Sequence, residues 1–152
     1  MTPGINGKLN EFQAAFGLLS LKYIDQAILD RKKIAELYRL KLRSISGISF
    51  LEDMPGVRAN YSYFPVFVDQ NTYGLSRDGL YEALKQDGIL ARRYFFPLIS
   101  DFPTYRGMPS ANRSNLPVAA RTADQVICLP MHAELTPEDV ERVVGIIEKN
   151  TK

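Results

Sequence analysis

The chain of 152 residues has no tryptophan, one cysteine (Cys128) and one histidine (His132). A single cysteine excludes an internal disulfide framework and any multi-cysteine metal site. A single histidine excludes a histidine-pair metal site and weakens most Ser-His and Cys-His relays. Neither sign of charge is in large excess: Lys and Arg number 19, Asp and Glu 17, for a formal net charge of +2. So small a difference argues against a dedicated nucleic-acid binder. No apolar run approaches the roughly 20 residues that span a bilayer, and no signal peptide opens the chain. The expectation is a cytoplasmic protein with neither membrane nor nucleic acid as a partner, and without a metal site. What is present is an ordinary globular composition, 45% hydrophobic, 24% charged and 11% aromatic. A chain of this length buries about 70% of its unfolded surface, so one real core is expected.

Residues 1–8, MTPGINGK, read as a loop. From there Phe12, Ala15, Phe16 and Leu19 share one helical face, and Ile24, Ile28, Arg31, Ala35, Tyr38 and Leu42 continue in a second register. Two helices are predicted, about 10–22 and 25–44, with Gly47 stopping the second. The period then changes to two. Residues 48–51 and 61–69 (YSYFPVFVD) read as strands, and Pro65 places the second at an edge or a bulge. Ser76 caps a helix that turns Leu80, Ala83 and Leu84 inward and closes at Gly88. Residues 89–96 (ILARRYFF) read as a strand ended by Pro97, and 97–117 as a long irregular loop. Ala119 to Thr122 reads as a helical turn and Val126 to Leu129 as a buried strand. The last helix has an N-cap at Thr136, Pro137 in first position, Asp139 three after the cap, and a stripe of Val140, Val143, Val144 and Ile147. The fold class is α+β or α/β, a small sheet covered by helices.

Few residues declare chemistry unaided. In Gly4-Ile5-Asn6-Gly7-Lys8 only two residues separate the glycines and Leu9 follows the lysine, which excludes a Walker A loop. A Gly-rich turn entering a helix can still hold a phosphate through free backbone N–H groups. Arg92 and Arg93 alternate faces of their strand, so one can face a site while the other is solvated. With Tyr94, Phe95 and Phe96 beside them they suit a phosphorylated or sugar ligand, or else an aromatic core strand with two surface charges. Cys128, inside an apolar strand, reads as buried and inert, and His132 as a surface or capping residue. No nucleophile–base pair emerges, so residue chemistry alone assigns no catalytic residue.

The string from Gly4 to Ala15 (GINGKLNEFQAA) resembles the G-x-N-x-[RK]-x-x-[ED]-x-x-A-A segment of nucleotide-sugar aminotransferases of the DegT/StrS type. Further matches follow in order: Asp30-Arg31 with Ala35, Tyr38 and Leu42; Tyr63-Phe64-Pro65-Val66; Gly88-Ile89 with Arg93 to Leu98; Leu116 to Ala119; and Leu129-Pro130-Met131-His132 before Leu135-Thr136. The resemblance is greatest to enzymes that aminate dTDP-linked 4-keto-6-deoxy sugars. It implies a fold type I homodimer using pyridoxal phosphate, with glutamate as amino donor.

The same resemblance implies site residues. Asn6 matches an asparagine that reaches the cofactor phosphate of the other subunit, and Arg93, Tyr94 and His132 fall in segments that line the substrate side. Lys8 stands where many members carry arginine. The family's Schiff-base lysine lies upstream of the Gly-x-Asn motif with which this chain opens. The implied division is therefore 1–22 as a remnant of the large cofactor-binding domain, 23–47 as a connecting helix and 48–152 as the C-terminal small domain. Such a chain is expected to bind no cofactor, to be inactive alone, and to leave apolar helix surface uncovered. A homo-oligomer or a partner chain bringing the lysine half would cover it. The alternatives are a non-enzymatic sugar-nucleotide-binding or protein-interaction module, or one subunit of a split aminotransferase.

Overall fold

The computed structural model describes residues 7–94 and 96–152. Two helices, α1 (Glu11–Leu21) and α2 (Ile24–Leu42), lead into strands β1 (Ile48–Phe50) and β2 (Phe64–Val68). A single turn α3 (Gln70–Tyr73), helix α4 (Arg77–Gln86), three short 3-10 turns between residues 99 and 115, and helix α5 (Pro117–Gln125) follow. Strand β3 (Val126–Leu129) and helix α6 (Pro137–Lys149) complete an α+β fold.

The strands form one antiparallel sheet in the order β1-β2-β3. Along β2, Phe64, Val66 and Val68 are buried while Pro65 and Phe67 point to the other, half-covered face. The buried set packs with Ala35, Tyr38 and Leu42 of α2, Leu80 and Leu84 of α4, and the α6 stripe to make the core. Tyr38 lies 4.9 Å from Phe64, ring to ring, and donates its hydroxyl to the Pro130 carbonyl at 3.2 Å. The α6 cap forms reciprocally: Thr136 Oγ1 accepts from the Asp139 N–H, and the Asp139 carboxylate accepts from the Thr136 N–H.

Four expectations are corrected. β2 is the central strand, although it holds Pro65. Pairing with β1 ends at Phe50 opposite Val66, and Cys128 opposite Pro65 turns both its backbone groups to Arg92. The absent N–H therefore faces a side with no ladder partner. Residues 61–63 are not strand, because Tyr61 sits at φ 50° with its hydroxyl donating to Asp53 at 2.7 Å. Among the described residues, segment 89–96 pairs with β3 only through an isolated bridge between Arg92 and Cys128. α2 ends at Leu42, and Gly47, at φ 79°, instead turns the chain into β1. A Cβ there would meet the Tyr73 backbone nitrogen at 2.4 Å. Separately, the helical turn expected at 119–122 extends to the nine residues of α5.

One buried charge organises the middle of the molecule. Arg77, in the first turn of α4, is 2% exposed. Its guanidinium donates to the carbonyls of Ala123 and Val126 at 3.0 and 3.1 Å, where α5 becomes β3. It also lies 4.5 Å from the Phe96 ring centroid, a cation–π contact. Replacing Arg77 by alanine strips two buried carbonyls of their donor. We expect Arg77→Ala to lower the unfolding free energy by about 3 kcal/mol in a urea titration, and Tyr38→Phe, which loses one partly buried hydrogen bond, by about 1 kcal/mol.

Candidate functional site

A cleft of about 570 Å³ opens where β3 runs out into residues 129–132. One wall is the start of α6, with Leu135, Asp139, Arg142 and Val143, and the other is the 88–94 segment with Ser62 and Tyr63. Cys128 and Leu129 form the floor, and burial pushes the Cys128 thiol up from its ordinary value. The walls combine apolar surface with few, convergent polar groups, the usual make-up of a small-molecule site.

The local chain explains these positions. Arg92 donates its N–H to the Cys128 carbonyl at 3.0 Å and accepts the Cys128 N–H at 2.8 Å, which pins segment 88–94 against the end of the sheet. The Arg92 guanidinium then donates to the Tyr94 hydroxyl and lies 5.6 Å from that ring's centroid. Tyr94 meets Tyr63 edge-on, centroids 5.0 Å apart at 75°. On the opposite wall Arg142 donates to the Asp87 carbonyl. Asp139 is held below the usual carboxylate range by hydrogen bonds from the Thr136 N–H and hydroxyl. Its negative charge is thus committed to the α6 cap.

Tyr94 and His132, both assigned from the sequence, line this cleft together. Arg93 is not among the lining residues. It ion-pairs with Asp78 at 2.9 Å and stacks its guanidinium 4.4 Å from the Tyr81 ring centroid. Asn6 lies outside the described residues. Arg142 escaped sequence reasoning because it reads as the polar face of an amphipathic helix; its place three residues after Asp139 is the signal that was available. Tyr63 escaped as one aromatic among several in a strand-like run.

The sequence and the fold are both similar to known proteins. Residues 1–148 match the family model described as DegT/DnrJ/EryC1/StrS aminotransferase family. A dTDP-4-amino-4,6-dideoxy-D-glucose transaminase of Escherichia coli is 46% identical over 145 residues, covering 95% of this chain and 39% of the relative. The transaminase of the same name from Shigella dysenteriae is 41% identical, covering 96% of this chain and 39% of the relative. Among solved structures, that of DesI in the presence of its TDP-sugar product superposes with a TM-score of 0.88 at 32% identity. The match covers 96% of this chain and 36% of DesI. The chain thus spans about two-fifths of the length of the relatives it matches.

Asp78 gives the site's surroundings a pH dependence. Burial opposes its charge, yet Arg93 and Arg77 together hold its carboxyl below the usual 3.8. A depressed folded-state pKa contributes stability in full above the unfolded value and loses it as pH falls through the folded one. The thermal midpoint should therefore stay level from pH 7 to about 5 and drop below about pH 4, with a smaller drop in Asp78→Asn. An equal drop in that variant, followed by circular dichroism, would count against the ion-pair account.

Proposed function

The chain belongs to the DegT/DnrJ/EryC1/StrS aminotransferase family, and on that premise we propose that it is the C-terminal part of a sugar-nucleotide aminotransferase. In the whole enzyme an amino group would pass from glutamate to a keto sugar carried on a nucleoside diphosphate, a dTDP-linked 4-keto-6-deoxyhexose. The observation that carries this reading is the cleft at the end of β3, where arginine, tyrosine and histidine side chains converge with a single carboxylate among the described lining residues. Guanidinium groups suit a diphosphate, and tyrosine faces and edges suit a sugar or base ring. His132, at the mouth of α6, adds a hydrogen-bonding group for a hydroxyl.

Pyridoxal phosphate is the cofactor of the full-length family, and when bound it supplies an electron sink for amino transfer. The described residues of this chain do not fit it by themselves. Such a cofactor is held through a lysine amine, and no lysine is among the residues that line the cleft. On this reading residues 1–22 belong with the large cofactor-binding domain, 23–47 connect, and 48–152 form the small domain. The 152 residues alone are expected not to transaminate. The face of α1 supports that division: Phe12 is 89% exposed and Phe16 73%, and the helix buries none of its residues. A helix so apolar is made to be covered, by the rest of the enzyme, by a partner chain or by a second copy.

Titration of the purified chain with pyridoxal phosphate, then borohydride reduction and intact-mass analysis, tests the first point. Scattered or absent lysine labelling is expected; a stoichiometric adduct at one lysine would overturn it. Sedimentation velocity tests the second. The wild-type chain should associate with rising concentration and bind an apolar dye, and Phe12→Glu with Phe16→Glu should abolish both. A stable monomer that binds no dye would refute the uncovered face.

A further inference from the structure

We propose that Arg92 is the ligand-facing arginine of the cleft and that Arg93 is a structural residue, latched away from it by Asp78 and the buried Arg77. The ligand named here rests on the sugar-nucleotide reading above. The assignment between the two arginines rests on geometry.

The paired hydrogen bonds between Arg92 and Cys128 fix the backbone at residue 92. Successive side chains of an extended backbone diverge, so Arg92 and Arg93 leave in opposite directions. Arg92 goes into the cleft, where its partner is the neutral Tyr94 hydroxyl, and no carboxylate lies within ion-pair distance of it among the described residues. Arg93 goes to α4. There it meets Asp78 at 2.9 Å, the Tyr81 ring at 4.4 Å and the Phe96 ring at 5.7 Å.

Asp78 is itself held in place. Its Oδ1 lies 2.8 Å from Arg77 Nε, an ion-pair contact, and Arg77 is anchored on the Ala123 and Val126 carbonyls. A continuous chain of polar contacts thus runs from the α5–β3 junction through Arg77 and Asp78 to Arg93. The same latch pins Phe96, which both guanidinium groups approach. Arg93 shares Asp78 with Arg77, and the arginine of this segment with no ion pair among the described residues is Arg92, which lines the cleft together with Arg142. Two arginines in one cleft whose hydrogen bonds go to neutral oxygens suit the two phosphoryl groups of a nucleoside diphosphate.

Two measurements on the intact chain test this. In calorimetric titrations with dTDP, Arg92→Ala should weaken binding by about tenfold or more, as expected for loss of a charge-assisted hydrogen bond. Arg92→Lys should recover part of that loss, and Arg93→Ala should stay within about twofold of wild type while its thermal midpoint falls by about 3 °C. Binding lost in Arg93→Ala but kept in Arg92→Ala would overturn the assignment and leave the sugar-nucleotide reading intact. Failure of the wild-type chain to bind dTDP at millimolar concentration would overturn that reading itself. Phenylglyoxal labelling with peptide mapping isolates the latch. Arg92 should be modified in the wild type and Arg93 spared, and Asp78→Asn should make Arg93 reactive. Equal labelling of both arginines in the wild type would refute the latch.

Discussion

The guanidinium of Arg77 has almost no contact with water, and three parts of the molecule meet on it. It satisfies two carbonyls at the α5–β3 junction, covers the ring of Phe96 and fixes Asp78 on its own helix. A buried charge is costly unless paired and hydrogen-bonded. Here the pairing is supplied by a carboxylate, two carbonyl oxygens and an aromatic face. Lysine would not replace it: Nη1 serves both carbonyls, but a single ammonium has no separate Nε to set against Asp78 and no flat face to stack on Phe96. The sheet gains no fourth strand from segment 92–96, so this contact, with the Arg92–Cys128 bridge, is what docks that segment.

Cleft polarity follows from how neighbouring charges are spent. Asp139 is occupied as an α6 capping residue, and Asp78 is shared between Arg77 and Arg93. These two acids are thus committed to structure, while the hydrogen bonds of Arg92 and Arg142 go to neutral oxygens. An excess of positive potential in a partly apolar cleft, with Tyr63 and Tyr94 edge to face at its side, is the physical content of the sugar-nucleotide reading.

α1 stands apart from this economy of contacts. Its start is well specified, with Asn10 and Gln13 in a reciprocal capping box. Capping and propensity shape such a helix, but an isolated helix of 11 residues is marginal in water without a packed face. Here that face is exposed, and α2 is buried only from Ile34 onward.

What the sequence determined by itself was local. The capping box and apolar stripe of α6, the Ser76 cap of α4, the buried VICL strand and the α+β class follow from side-chain periodicity and backbone capping chemistry, both of which act within a few residues. The family also was legible, because its short motifs keep their order. Tertiary structure decided the rest. It made β2 central despite Pro65, since the end of β1 removes the partner the missing N–H would need. Among its described residues, it reduced the expected 89–96 strand to one bridge on the outer edge of β3 at Cys128. It brought Tyr63, Arg92 and Arg142, which lie 29 and then 50 residues apart along the sequence, to one cleft, and buried Arg77, which in sequence is only a charge after a helix cap. Those outcomes depend on which surfaces meet across the fold, and no periodicity within one segment encodes them.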